Sequence, residues 1–231
     1  MSLTVTSRLC GTVCILHCEG RIMAGQASLD LETALEQVGH ASTCVILNLS
    51  QVTRMDSMGL GMLVRQTSRL NACGGAVRLV APQPFVAHLL VITKLSDYFQ
   101  SYPTEEEALE DFLRQHEPQQ ADTNSGRRVL AFDPSPDIGA FVRSVLEPHG
   151  FNVRTACSLR DAKVLLRVDN NVDYILIGPG KPQLAPETAA TELSEQAPKA
   201  QTLQLGPDFN PSNATKAAET LLQTLRVNSA P

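Results

Sequence analysis

Apolar residues follow strand-like and helix-like spacings along most of this chain. In the N-terminal half, residues 44–49 are the most apolar strand candidate, and the residues after position 57 place apolar side chains three and four apart, which is helical spacing. The surrounding pattern predicts two antiparallel strands within residues 3–18, a loop at 20–26, a helix with Leu29, Leu31 and Leu35 on its apolar face, a strand at 76–80, a helix at 85–92, an edge strand at 98–101 and a last helix after Thr104. This half is therefore predicted to be an α/β unit with a mixed sheet.

The C-terminal half alternates strand and helix patterns. Strands are predicted at 129–132, 152–155, 174–177 and 201–205, and helices at 138–146, 159–166, 189–193 and 214–227. Alternation at this spacing favours a parallel sheet with helices on both faces. Between the halves, residues 116–126 contain no aliphatic side chain larger than alanine, so we predict domains at 1–115 and 127–231 joined by a linker at 116–126.

Residues 55–61 join the most apolar strand to its helix and carry the candidate chemistry. Asp56 or Ser57 can accept a hydrogen bond from the free amides of the first helical turn. A phosphate on Ser57 would face the same amides and the positive end of the helix dipole. Gly59 and Gly61 cost helix stability, which is understandable if a strand or a partner must come close. From spacing alone, a capped turn without chemistry remains the simpler interpretation.

Composition narrows the classes of partner and ligand. The chain has 231 residues, 43% hydrophobic and 19% charged, with a net charge of −5, so nucleic acid and anionic membranes are disfavoured. No apolar run approaches the roughly 18 residues of a membrane span, and the first residues lack the basic start of a signal peptide, so we expect a cytoplasmic protein. The six cysteines form no Cys-x-x-Cys pair, and Cys14 and Cys18 fall in an apolar run, so we expect core thiols and no metal site.

Residues 45–64, VILNLSQVTRMDSMGLGMLV, with NACGGAVRLVAP and VAHLLVITKLSDYFQSYPTEEEAL, resemble a STAS domain of the anti-sigma factor antagonist family over about residues 1–115. The resemblance implies that Ser57 is a phosphorylation site. It also implies a contact surface for a partner protein, formed by Asp56, Ser57, Met58, Gly59, Leu60, Arg21 and Met23. The implied partners are an anti-sigma factor kinase of the GHKL type, which the unmodified domain sequesters, and a metal-dependent Ser/Thr phosphatase. Met58 replaces the second small hydroxyl residue of many members.

Residues 127–226 resemble a response-regulator receiver domain, less clearly after Pro182. The resemblance places Gly178 where the family has its phospho-acceptor carboxylate. Asp133 keeps the first metal-binding acid but is followed by Pro134, while Gly206 and Asn210 stand at the hydroxyl position and at the lysine position after a fifth strand. We expect a flavodoxin-like pseudo-receiver that serves as an interaction or dimerisation module.

The histidines are scattered, and neither half shows a nucleophile beside a base or a phosphate-binding loop. We therefore expect a regulatory protein that is not an enzyme and has no cofactor. One alternative is a STAS-type scaffold or lipid-transport module in which Ser57 is never modified. Another is small-molecule binding at the loop from Arg21 to Gln26.

Overall fold

The computed structural model describes residues 3–41, 44–116, 126–180, 186–206 and 209–227. The chain divides into two compact units. The first comprises Met1–Arg8 and Thr12–Glu117, and the second comprises Leu9–Gly11 and Pro118–Pro231. His116, the first residue of the linker expected at 116–126, is instead the last residue of a helix. Residues 117–125 of that linker lie outside the described residues, so the domain boundary stays a prediction.

The first unit contains five strands and four helices within its described residues. These are β1 (Thr4–Cys10), β2 (Val13–Ile22), α1 (Gln26–Ala41), β3 (Cys44–Met55), α2 (Ser57–Ala72), β4 (Ala76–Val80), α3 (Pro84–Ile92), β5 (Gln100–Tyr102) and α4 (Glu105–His116). The strands lie in the order β5-β4-β3-β2-β1. β2, β3, β4 and β5 pair in parallel, whereas β1 and β2 are joined by two residues and form a hairpin, so the sheet is mixed as predicted.

The central strands of this sheet are buried on both faces, because helices cover both sides of the sheet. Ile15, Leu16, Val45, Ile46 and Leu47 are fully enclosed. This is why the strand pattern of the sequence is a continuous apolar run with little alternation.

The helix α4 is tied to the sheet by a cluster of charges at its first residue. Glu105 accepts hydrogen bonds from Arg8 on β1 at 2.6 Å and from Asn48 on β3 at 2.5 Å. Burial opposes ionisation of Glu105, but the Asn48 amide and the charges of His17 and Arg8 hold the pKa of its carboxyl below its usual value. Thr104 accepts from the Glu107 amide at 3.3 Å and so caps the helix.

The second unit contains four strands and four α-helices within its described residues. These are β6 (Arg128–Phe132), α5 (Pro136–Leu146), β7 (Asn152–Ala156), α6 (Leu159–Val168), β8 (Tyr174–Ile177), α7 (Pro186–Gln196), β9 (Gln201–Gln204) and α8 (Ala214–Val227). The strands lie in the order β7-β6-β8-β9 and all pair in parallel. α5 packs against α8, and α6 packs against α7. The predicted parallel sheet with its alternating helices is therefore present.

Four details differ from the sequence-based predictions. β2 runs through Ile22, so the loop expected at 20–26 is reduced to residues 23–25. Leu29, placed on the apolar face of α1, is 54% exposed. The edge strand begins at Gln100, two residues later than expected. In the described part of the second unit no fifth strand follows β9, so Asn210 lies in the connection between β9 and α8 and cannot occupy a position after a fifth strand.

Within the described ranges, no helix combines the length and hydropathy needed to cross a lipid bilayer.

Candidate functional site

The candidate site lies where β3 ends and α2 begins. β3 is twelve residues long, and its pairing with β4 stops at Asn48, opposite Val80. Its second half continues along β2 alone as far as Met55, opposite Ile22. The turn at Asp56 is therefore at the carboxyl edge of the sheet, where the connecting segments are open to partners.

Asp56 caps the helix α2 and also binds the loop after β2. Its Oδ1 accepts from the Gly59 amide at 2.8 Å, and its Oδ2 accepts from the Ala24 amide at 2.8 Å. The Asp56 amide donates to the Ile22 carbonyl at 3.1 Å. The hydrogen bonds from Ala24 and Gly59 lower the pKa of the Asp56 carboxyl, so the group is ionised at neutral pH.

Ser57 is the first residue of α2, and its side chain is exposed. Because Asp56 serves as the cap, the Ser57 hydroxyl is not needed for capping and makes no hydrogen bond to any described residue. The structure thus resolves the choice between the two capping residues. A modifying enzyme can reach the hydroxyl without breaking a structural contact.

Gly59 and Gly61 have different surroundings, although they lie two residues apart in the same helix. A Cβ atom at Gly59 would lie 2.6 Å from the Ile22 carbonyl oxygen and 2.8 Å from Ile22 Cγ2. A Cβ atom at Gly61 would have no heavy atom within 4 Å. Only Gly59 is required for the close approach of α2 to β2.

Asp56 is half-buried, and the other six predicted contact residues separate into an exposed and a buried group. Ser57, Met58, Arg21 and Met23 are exposed, with Met58 62% and Met23 37% accessible. Gly59 and Leu60 are buried against the sheet. The two buried residues can influence a partner only through the position of α2.

Two positions near the site were missed by the sequence analysis. Ile22 and Ala24 contribute backbone groups to the turn, and neither side chain has a chemical signature that would single it out. Their roles depend on the pairing of β2 with β3, which brings Ile22 opposite Met55.

In the second unit, Asp133 and Gly178 are brought together at the ends of β6 and β8. Asp133 accepts from the Ser135 amide at 2.7 Å and from the Gly180 amide at 2.8 Å, and it is 4% exposed. A Cβ atom built on Gly178 would lie 2.0 Å from Asp133 Oδ2. The Asp133 carboxylate therefore occupies the space that a side chain at position 178 would need.

Cys14, Cys18 and Cys44 are buried core residues of the first unit, whereas Cys73 is exposed. Burial raises the pKa of the Cys14 thiol to about 11 and that of Cys18 to about 12, which disfavours the thiolate that metals bind. Among the described residues, no group of three His, Cys, Asp or Glu side chains is placed to hold a metal ion.

The family model of the STAS domain matches residues 5–108 of this chain. The predicted STAS fold of the N-terminal unit is confirmed by this match. Among curated proteins, a Thermotoga neapolitana candidate anti-sigma factor antagonist is 37% identical over 67 residues, which is 29% of this chain and 59% of that protein. A Thermotoga maritima candidate anti-sigma factor antagonist is 34% identical over 70 residues, 30% of this chain and 62% of that protein. The alignments thus span less than two thirds of either relative.

Two solved structures each align with slightly less than half of this chain. The unphosphorylated form of the anti-sigma factor antagonist SpoIIAA aligns with 48% of this chain and 95% of its own length, at 21% identity and a TM-score of 0.42. The Vibrio cholerae chemotaxis protein CheY4 aligns with 45% of this chain and 98% of its own length, at 24% identity and a TM-score of 0.37. Likenesses at this level bear on neither the function nor the partners of this chain.

Proposed function

We propose that this chain is a regulatory protein of the anti-sigma factor antagonist type, switched by phosphorylation of Ser57. The STAS match over residues 5–108 and the names of two relatives support the general role. The single observation that carries the switch is the exposed Ser57 hydroxyl, which stands at the start of a helix already capped by Asp56.

The electrostatics of the turn explain how a phosphate there would act. The N-terminus of α2 presents partial positive charge and favours an anion at Ser57. The ionised Asp56 beside it already carries one negative charge, and a phosphate adds ~1.5 to 2 more at pH 7. The folded domain therefore tolerates the phosphate. A partner surface that fits the neutral Ser57 hydroxyl would instead face a strongly anionic turn.

The proposed partner is an anti-sigma factor kinase of the GHKL type, and a Ser/Thr phosphatase resets the switch. The unmodified unit binds the kinase through Ser57, Met58, Arg21 and Met23, which are exposed around the turn. Met58 supplies a flexible apolar side chain, 62% accessible, of the kind that adapts to a partner surface. Phosphorylation by the bound kinase then weakens the complex through repulsion and desolvation.

The test is a binding titration with purified GHKL-type kinases encoded in the same genome. Ser57→Ala should bind the cognate kinase as tightly as the wild type, and Ser57→Asp at least tenfold more weakly, which corresponds to about 1.4 kcal/mol. Ser144→Asp, an exposed helical serine of the second unit, is the matched control and should not change the affinity. Equal affinity of the Ser57→Ala form and a stoichiometrically phosphorylated form would rule out the switch.

The second unit is proposed to be a pseudo-receiver that provides an interaction or dimerisation surface. Gly178 has no nucleophile, and the adjacent Asp133 carboxylate is already engaged by the Ser135 and Gly180 amides. Because that carboxylate fills the space beside Gly178, an acyl phosphate has no site there. A role as a binding surface needs none of these groups.

A further inference from the structure

We propose that Arg21 and Arg54 form a binding site for an acidic segment of a partner protein. Arg21 on β2 lies directly opposite Arg54 on β3 in the parallel pairing. Neighbouring strands are about 4.8 Å apart, so two positive side chains stand close together on an exposed part of the sheet. This proposal rests on the proposed function in one respect, since it assigns the chemistry of the partner that binds beside Ser57.

Among the described residues, these two arginines lack the ion pairs that most other arginines of the first unit form. Four other arginines of the first unit lie within ion-pair distance of a carboxylate, namely Arg8, Arg69, Arg78 and Arg114. Within the described residues, neither Arg21 nor Arg54 forms an ion pair or a side-chain hydrogen bond. The chain has 24 acidic and 19 basic residues, so two adjacent uncompensated arginines contrast with its overall charge.

Like charges directly opposite each other on neighbouring strands repel and destabilise the sheet, so an anionic ligand that neutralises them would be favoured. Two guanidinium groups at this spacing can each offer paired N–H donors to carboxylates. The net charge of −5 repels every anionic ligand, and it repels a long polyanion such as a nucleic acid more strongly than a short acidic segment that contacts only this pair.

The arginine pair adjoins the turn that carries Ser57. One residue further along each strand, Ile22 lies opposite Met55, and the next residues are Met23 and Asp56. An acidic segment held by the arginines would therefore run beside Ser57. A phosphate on Ser57 would repel that segment directly, which gives the switch a specific electrostatic mechanism.

The first experiment uses a synthetic octaglutamate peptide and the full-length protein, followed by NMR of the arginine side-chain N–H groups. We expect saturable shifts at Arg21 and Arg54 and none at Arg65, which is exposed and forms no ion pair with a described residue but lies on α2, without an arginine on a neighbouring strand. Octalysine should cause no shifts. Equal shifts at Arg65, or no shifts at the pair, would overturn the proposal. Tighter binding of inorganic phosphate at matched ionic strength would overturn it in favour of a phosphorylated ligand.

The second experiment separates this proposal from the proposed function. For a kinase that binds the wild type, the double variant Arg21→Gln/Arg54→Gln should bind at least tenfold more weakly in 50 mM salt, and the difference should shrink in 500 mM salt. Arg114→Gln, an exposed arginine on α4, is the control and should bind normally. If the double variant binds like the wild type while Ser57→Asp does not, the arginine site is wrong and the switch stands. If no kinase binds but octaglutamate does, the proposed partner is wrong and the arginine site stands.

Discussion

Gly59 and Gly61 offer a matched test of how α2 is positioned against β2. Replacing either glycine by alanine gains about 1 kcal/mol of helix propensity, because glycine loses more backbone entropy on folding. At Gly61 no heavy atom lies within 4 Å of the new Cβ, so this gain is expected undiminished. At Gly59 the new Cβ would lie 2.6 Å from a backbone oxygen of Ile22, which already accepts from the Asp56 amide and cannot move freely.

Overpacking of this kind costs roughly 1–3 kcal/mol, and since the propensity gain is shared, the two variants should differ by about that amount. For a domain of about 100 residues, each kcal/mol shifts the melting temperature by roughly 4–8 °C. The assay is urea and thermal unfolding of the full-length variants, with hydrogen exchange of the α2 amides to localise the effect. If Gly59→Ala proves as stable as Gly61→Ala, the close approach of α2 to Ile22 is not a constraint and this account of the turn is wrong.

Three further predictions concern other parts of the chain. Glu105→Gln should lower the free energy of unfolding by about 1–2 kcal/mol at pH 7, because a charged hydrogen-bond acceptor is lost. Folding lowers the pKa of the Glu105 carboxyl, so its contribution to the free energy of unfolding is complete above the pKa of the unfolded state and disappears as the pH falls through the folded pKa. The difference in urea stability between Glu105→Gln and the wild type should therefore disappear in acid. A difference that stays constant with pH would contradict this role of Glu105. Incubation with acetyl phosphate and magnesium should add no hydroxylamine-labile mass to the second unit, and Gly178→Asp should destabilise the chain without creating a phospho-acceptor, because Asp133 occupies the space. Limited proteolysis should cut first within residues 116–126 and leave two folded fragments, whereas a first cut within 45–70 would refute the domain boundary.

The sequence by itself determined the order and type of nearly all the helices and strands. Apolar spacing is a local property, and the runs at 44–49 and 174–177 could be recognised because buried parallel strands are apolar on both faces. The helix start at Asp56 and Ser57 was also legible, since only a few side chains can accept from the first-turn amides. Leu29 shows the limit of this method. Spacing places Leu29 on the apolar face of α1, but it does not show how much of that face the rest of the domain covers, and Leu29 is exposed.

The tertiary structure decided which of two possible residues caps α2 and which distant residues become neighbours. Asp56 and Ser57 could each have capped α2, and the Ala24 amide selects Asp56 by binding its second carboxylate oxygen, which leaves Ser57 free. Arg21 and Arg54 are 33 positions apart in the sequence, and only the register of β2 on β3 brings them together. In the same way, Asp133 meets Gly178 because β6 and β8 are neighbouring strands of the second unit. Strand register and side-chain direction depend on residues far apart along the chain, so no local pattern contains them.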